Sequence, residues 1–181
     1  MAARAPSLRV GQGWDIHRLV PGRPLMLGGV RVPHRRGLLG HSDGDAVLHA
    51  VADALLGAVA AGDIGQHFPD TDPRWRDADS AALLAEVVRI VAGRGGRVVN
   101  VDVSILAEQP KLAPHMPAMR ARLAALLGVG EACVGLKART MEGLGAIGAG
   151  EAIAAQAVVL IDVKPRPAPR RSSGRPRRVK R

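Results

Sequence analysis

The chain has 181 residues, enough for one domain with a real core. Its formal charge of +10 misleads: nine of the 26 lysines and arginines fall between Lys164 and Arg181, where there is no acid, and the other 17 nearly balance the 16 acids. The single cysteine, Cys133, excludes an intramolecular disulfide and a cysteine zinc cage. No apolar run approaches the ~18 residues of a membrane span, and the short stretch before Leu8 lacks the apolar core of a secretory signal. A cytoplasmic protein is expected. With one Phe, two Trp and no Tyr, packing must rest on Ala, Val, Leu and Gly.

In chain order, residues 1–7 read as a flexible N-terminus, and Leu8 to His17 as a strand ending in W-D-I-H. Residues i and i+2 of a strand share a face, so Asp15 and His17 present a carboxylate and an imidazole side by side. Leu25–Leu27 and Val30–Val32 flank Gly28-Gly29, a two-residue hairpin signal. Pro33 to Gly40 reads as a surface loop.

From Gly40 to Gly65 runs the stretch around which the chain is organised. Asp43 is the expected N-cap of a helix that is apolar nearly all round and therefore buried. Asp45, His49 and Asp53 recur at i, i+4 and i+8 as a polar stripe on that helix. Buried polar groups need partners. Two readings stay open: a core histidine bonded to its neighbouring carboxylates, or a set of ligands for a metal or an anion. His41 and Ser42 stand just before the helix, where free N–H groups favour phosphate.

Gly62 to Asp79 has no periodicity, and a loop of that length is expected to be a functional lid or disordered. A second helix is predicted from Ser80 to Ala92, stopped by Gly93 and Gly95. Arg97 to Ala107 alternates as a strand and leads to Lys111 in a proline-punctuated loop. A third helix is predicted over Pro114–Leu127, a strand over Cys133–Arg139, and a last strand over Ala152–Val163. Between those strands lies a glycine-rich turn with Thr140 and Glu142, which can aim N–H groups at phosphate. The sum is an α+β single domain over residues 8–163, with a mixed β-sheet and helices packed on one face. The other face needs cover, which an oligomer supplies. The basic segment 164–181 cannot bury a core and is expected to be a disordered tail.

Two nitrogen donors and one oxygen, from His17, His49 and Asp15, make a common catalytic zinc set, with Asp45 or Asp53 placed to orient an imidazole. Glu142 suits a second, harder cation on phosphate oxygens.

Four stretches carry a resemblance: G-x-D-x-H near the start, L-L-G-H-S-D-G-D-A-x-L-H-A, A-x-G-D-I-G-x-x-F-P-D-T-D, and N-V-D-V-x-I-x-A-x-x-P-K. Long, several and in order, they resemble the 2-C-methyl-D-erythritol 2,4-cyclodiphosphate synthase family from about Leu8 to Val163. The resemblance implies a lyase of the non-mevalonate isoprenoid pathway. It cyclises 4-diphosphocytidyl-2-C-methyl-D-erythritol 2-phosphate, whose 2-phosphate oxygen attacks the β-phosphorus of its own diphosphate and expels CMP. A phosphate nucleophile is already ionised, so such a site must mainly position the two anionic ends and neutralise charge.

The resemblance further implies zinc on Asp15, His17 and His49, with Mg²⁺ or Mn²⁺ on the diphosphate through Glu142. Asp15 and His17 would also touch substrate, His41 and Ser42 would contact phosphate, and His41 with Thr140 would stabilise the transition state. Asp63, Ile64 and Gly65 would hold the erythritol part, and Phe68, Pro69, Asp70, Thr71 and Asp72 the substrate loop. Ala107, Pro110, Lys111 and Ala113 would form the cytidine diphosphate pocket, next to Arg139, Thr140, Met141 and Glu142. The family is a homotrimer with sites between subunits, the zinc half from one chain and the cytidine half from the next.

Some positions depart from the family pattern. Arg139 stands where a threonine often precedes Thr140. Ala146 and Ala149 replace an aromatic residue and an arginine tied to an anion site on the trimer axis. Two rival readings stand beside it: a metal-dependent phosphohydrolase, which the same ligands would serve with bound water as nucleophile, and nucleic-acid contact through the tail. The near-neutral body without an aromatic stacking platform argues against the latter as the main function.

Overall fold

The computed structural model describes residues 7–164. The strands are β1 (Ser7–Pro21), β2 (Leu25–Leu27), β3 (Val30–Val32), β4 (Arg36–Leu38), β5 (Gly96–Leu106), β6 (Val134–Arg139) and β7 (Ala152–Val163). The helices are α1 (Ala46–Ala58), α2 (Ile64–His67), α3 (Ser80–Gly93), α4 (Met116–Leu127) and α5 (Gly145–Gly148). Five strands form one mixed sheet in the order β4-β1-β7-β5-β6, and β2-β3 form a separate hairpin. Among the described residues only β5 and β6 pair in parallel, and α4 supplies the crossover that a parallel pair requires. An α+β single domain with helices on one face of a mixed sheet is what the sequence predicts.

Several expectations need correction. β1 runs four residues past His17, because its end pairs with β4, in the segment read as a surface loop. Asp45, not Asp43, caps α1: its carboxylate accepts from the N–H groups of Val47 and Leu48. The long loop after α1 contains α2, capped by Asp63, and a short 3-10 turn over Pro73–Trp75, capped by Asp72. Helix α3 does close at the predicted glycines: Gly93 is its last residue, Arg94 its C-cap, and Gly95 follows at positive φ. Gly128, at positive φ, does terminate α4. Ser7 and Lys164 belong to the ordered body, since Ser7 pairs with Val163 and the Lys164 N–H donates to the Gly95 carbonyl. The rest of the predicted flexible N-terminus and basic tail lies outside the described residues.

The core lies between the sheet and its helices. Val101, Val103, Ile105, Ala155, Ala157, Val159 and Ile161 point inward beneath α1, α3 and α4. Helix α1 lies unusually close to the sheet. A Cβ on Gly11 would stand 1.8 Å from the Ala54 carbonyl oxygen, and one on Gly13 would stand 2.1 Å from that of Ala50. Helix backbone occupies the space a strand side chain would take. The opposite sheet face carries Val10, Trp14, Ile16 and Val158, all exposed in the single chain.

This packing makes a contrast within one contact. Gly11→Ala forces helix and strand apart and should cost about 3 kcal/mol or more. Gly57→Ala, in α1 with only the Gln12 carbonyl at 4.0 Å, should gain about 0.5–1 kcal/mol from helix propensity. Urea unfolding of the two variants beside the parent checks both signs.

Candidate active site

Strand β1 continues from Gly11 and Gly13 to Asp15 and His17 on the same face, and the first turns of α1 present His49 to them. Asp15 Oδ2 lies 2.9 Å from His17 Nε2 and 3.0 Å from His49 Nδ1, and the two ring nitrogens are 3.1 Å apart. Three ligand atoms thus meet at one point.

The surrounding hydrogen bonds fix which nitrogens carry protons. His17 Nδ1 lies 2.7 Å from the Leu39 carbonyl, which can only accept, so Nδ1 holds the proton and Nε2 of the neutral ring is bare. His49 Nε2 lies 2.9 Å from Ser80 Oγ. Ser80 gives its one hydroxyl proton to the Asp43 carboxylate, so it must accept from His49. His49 Nδ1 is therefore bare as well. Three lone pairs face each other at about 3 Å, an arrangement that needs a proton or a cation between them. A tetrahedral zinc site with bonds of about 2.0–2.1 Å spaces its donors roughly 3.3 Å apart, close to this triangle. The donor set fits a divalent metal.

Electrostatics agree. Burial alone would raise the Asp15 carboxyl, but whenever either facing imidazole carries a proton, its hydrogen bond and charge outweigh burial and hold Asp15 well below the ordinary range. Burial would lower His17, and the bond to Asp15 more than offsets that, so its pKa is raised.

The rest of the polar stripe is structural. Asp45 is fully buried and accepts from the N–H groups of Gly28 (2.9 Å), Gly29 (2.7 Å), Val47 and Leu48, which ties the β2–β3 turn to α1. Burial pushes its carboxyl up although these donors pull it down. Asp53 accepts from the Ile64 N–H at 2.7 Å and anchors α2. Neither orients an imidazole, contrary to expectation; Leu39 and Ser80 do. The α1 N-terminus also offers no free N–H to phosphate at Val47 and Leu48, because Asp45 occupies them.

A cavity of about 250 Å³ opens over the cluster, lined by His17, His41, Ser42, His49, Ile64, Phe68, Asp70, Trp75 and Leu83. His41 Nε2 is buried there without a hydrogen-bond partner among the described residues. Asp15 sits beneath the cavity, and Asp63, the cap of α2, and Gly65 within that helix are exposed beside it. Of the loop residues, Pro69 and Thr71 lie outside the lining and Asp72 pairs with Arg74.

A second cavity, about 480 Å³, is lined by Ala107, Glu108, Gln109, Pro110, Lys111, Leu112, Ala113, Met116, Ala138, Arg139 and Thr140. The two linings share no residue. Met141 donates its N–H to Glu108, and Glu142 accepts from the Thr140 hydroxyl at 2.8 Å, away from the Asp15 cluster. Ala146 lies in α5 and Ala149 ends it. Within one chain the expected site residues therefore form two half-sites.

Sequence reasoning missed Ser80, Asp43 and Trp75. Ser80 and Asp43 read as helix caps, and their second role depends on a contact 37 residues apart in sequence. Trp75 packs edge-on against Phe68, with ring centroids 5.0 Å apart, and helps close the cavity.

Comparison with known proteins matches this architecture. A family model described as the YgbB family matches residues 8–162. The 2-C-methyl-D-erythritol 2,4-cyclodiphosphate synthase of Dechloromonas aromatica is 61% identical over 156 residues, 86% of this chain and 98% of that protein. The synthase of Geobacillus kaustophilus is 60% identical over 153 residues, 84% of this chain and 97% of its own. A solved 2C-methyl-D-erythritol-2,4-cyclodiphosphate synthase in a CDP-bound form superposes with a TM-score of 0.79 at 45% identity, covering 85% of this chain and all of that one. The bifunctional IspDF of Campylobacter jejuni superposes at 0.85 with 37% identity, covering 88% of this chain and 43% of that one. The chain belongs to the YgbB family, among relatives named as 2-C-methyl-D-erythritol 2,4-cyclodiphosphate synthases.

Proposed function

We propose that this chain cyclises 4-diphosphocytidyl-2-C-methyl-D-erythritol 2-phosphate to 2-C-methyl-D-erythritol 2,4-cyclodiphosphate and releases CMP, with Asp15, His17 and His49 as the ligands of a catalytic zinc ion. The observation that carries this reading is the convergence of those three lone pairs beneath a cavity edged by His41 and Ser42. Zinc there would polarise phosphate oxygens as a Lewis acid.

The chain's own residues do the rest. The Leu39 carbonyl and the Ser80–Asp43 pair keep both imidazoles in the tautomer that aims a bare nitrogen inward. His41 Nε2 gives a buried, unpartnered group to a substrate phosphate oxygen. Ile64, Phe68 and Asp70, with Asp63, Gly65, Pro69, Thr71 and Asp72 beside them, shape the methylerythritol side and exclude water. Pro110, Lys111, Ala107 and Ala113 receive the cytidine diphosphate end, where Arg139 adds a second cation near Thr140 and Met141. Glu142 would hold Mg²⁺ or Mn²⁺ against the diphosphate.

A substrate with these two ends must reach both half-sites, which is why we propose a homotrimer in which the cytidine half comes from a neighbouring chain. Val10, Trp14, Ile16 and Val158 on the open sheet face give the apolar surface for it. Ala146 and Ala149 themselves supply no basic group to an axial anion site. Residues 8–163 form the catalytic domain, the tail is an accessory, and the reaction takes place in the cytoplasm. Among the described residues no helix is long and apolar enough to cross a membrane.

Phosphorus NMR of the purified chain with substrate and Mg²⁺ should show a cyclic diphosphate and CMP, and His49→Ala should make neither. Free phosphate or an open-chain product would favour hydrolysis instead. Ser80→Ala should weaken zinc retention by about 10–100-fold in chelator competition, while Asp79 still caps α3. Paired Val10→Asp and Val158→Asp substitutions should yield monomers in sedimentation and lose turnover together. Deleting residues 165–181 should leave kcat unchanged, and a dead truncated enzyme would overturn the accessory role.

A further inference from the structure

A third cavity, about 390 Å³, lies between the turn that follows β1 and the segment that follows β3. Arg23, Arg31, His34 and Arg35 line it, and no carboxylate does. Among the described residues neither Arg31 nor Arg35 has a carboxylate within 4 Å, and Arg23 meets only Asp77, at 3.9 Å. Two buried nitrogens of these side chains, Arg23 Nε and His34 Nε2, have no hydrogen-bond partner among the described residues. Burial and the charges of Arg36 and Arg35 push the His34 imidazole below its ordinary range, as expected where positive charge is uncompensated.

The frame around these groups is rigid. Gly37 in β4 sits so close to the turn that a Cβ there would lie 2.1 Å from the Pro24 carbonyl oxygen and 2.5 Å from that of Arg23. Arg31 projects from the β2–β3 hairpin, whose turn is bonded to buried Asp45. The cations are thus held on fixed backbone, which lowers the entropy cost of gripping a ligand. Arg23 Nη2 also donates to the Ser42 carbonyl at 2.5 Å, so the cavity is joined to the loop beside His49.

We propose that this cavity is a second anion site, distinct from the metal centre, that binds a diphosphate group through Arg23, Arg31 and Arg35. Guanidinium forks suit such oxygens, because each can make two parallel charge-assisted bonds. The volume suits a diphosphate with a modest organic substituent. Bound there, the anion would hold Arg23 on Ser42 and so stiffen the phosphate-contacting loop. The site does not rest on the assignment of the reaction.

The test is calorimetric titration of the metal-loaded full chain with inorganic diphosphate, beside Arg31→Ala/Arg35→Ala, Arg35→Glu and His49→Ala. The tail is present in all four proteins and cancels. The parent and His49→Ala should share one binding event per chain that both arginine variants weaken by about tenfold or more. CDP affinity should be the same in the parent and the double variant. Superimposable isotherms would overturn the site. An equal loss of CDP affinity in the double variant would overturn its separateness from the active site. Arg31 and Arg35 are exposed and make no ion pair among the described residues, so their replacement leaves the fold intact.

Discussion

Everything at the metal cluster depends on how closely α1 lies on β1. Two strand residues advance about 6.6 Å and four helix residues about 6.0 Å. Helix and strand can therefore step past each other nearly in phase. Gly11 takes the Ala54 carbonyl, and Gly13 takes that of Ala50. The next step carries Asp15 and His17 to the first turns of the helix, where His49 projects. The absent side chains at the first two rungs set the separation at the third. A methyl at either glycine would move the histidine, and ligand atoms that now lie about 3 Å apart would part.

Closeness alone would leave the imidazoles free to turn. Their orientation comes from groups that never touch the cluster's centre. A backbone carbonyl fixes His17, and a serine that has already spent its proton on Asp43 fixes His49. Once Nδ1 of one ring and Nε2 of the other are bare beside a carboxylate, mutual repulsion makes the site a cation trap. Helix caps serve double duty here. Asp45 holds α1 and the hairpin turn together, while Asp43, freed from capping, anchors Ser80.

The sequence made much of this legible. The two-residue hairpin, the alternation of β5 and β7, and the buried character of α1 follow from local patterns, and local patterns are where sequence speaks most clearly. Asp15, His17 and His49 stand out because polar residues on buried faces need a reason. What stayed hidden is long-range. Asp43 and Asp45 are equally good caps by composition, and only the approach of Gly28 and Gly29 decides between them. The strand at Arg36–Leu38 exists because the end of β1 offers it a ladder. The bond from Ser80 to His49 joins segments that no periodicity connects. The G-x-G of β1, opposite an alanine-rich helix, was the overlooked local signal.

Under the proposed trimer, the division of the site into two cavities would give the exposed sheet face a purpose. The metal half lies where α1 meets the end of β1, and the cationic half lies beyond the end of β5, between Lys111 and Arg139. A single chain holds both but does not join them. Ring closure demands that a nucleotide end and a phosphate end be held against each other, and effective concentration falls quickly if either pocket is loose. A subunit interface built on a rigid sheet supplies that stiffness better than a loop could. In the proposed trimer, the apolar residues of β1 and β7 would bury against their copies, and the strand that carries Asp15 and His17 would then be fixed from both faces. Assembly and metal geometry would be coupled through one strand. Loosening the interface should therefore disturb the cluster as well as separate the half-sites.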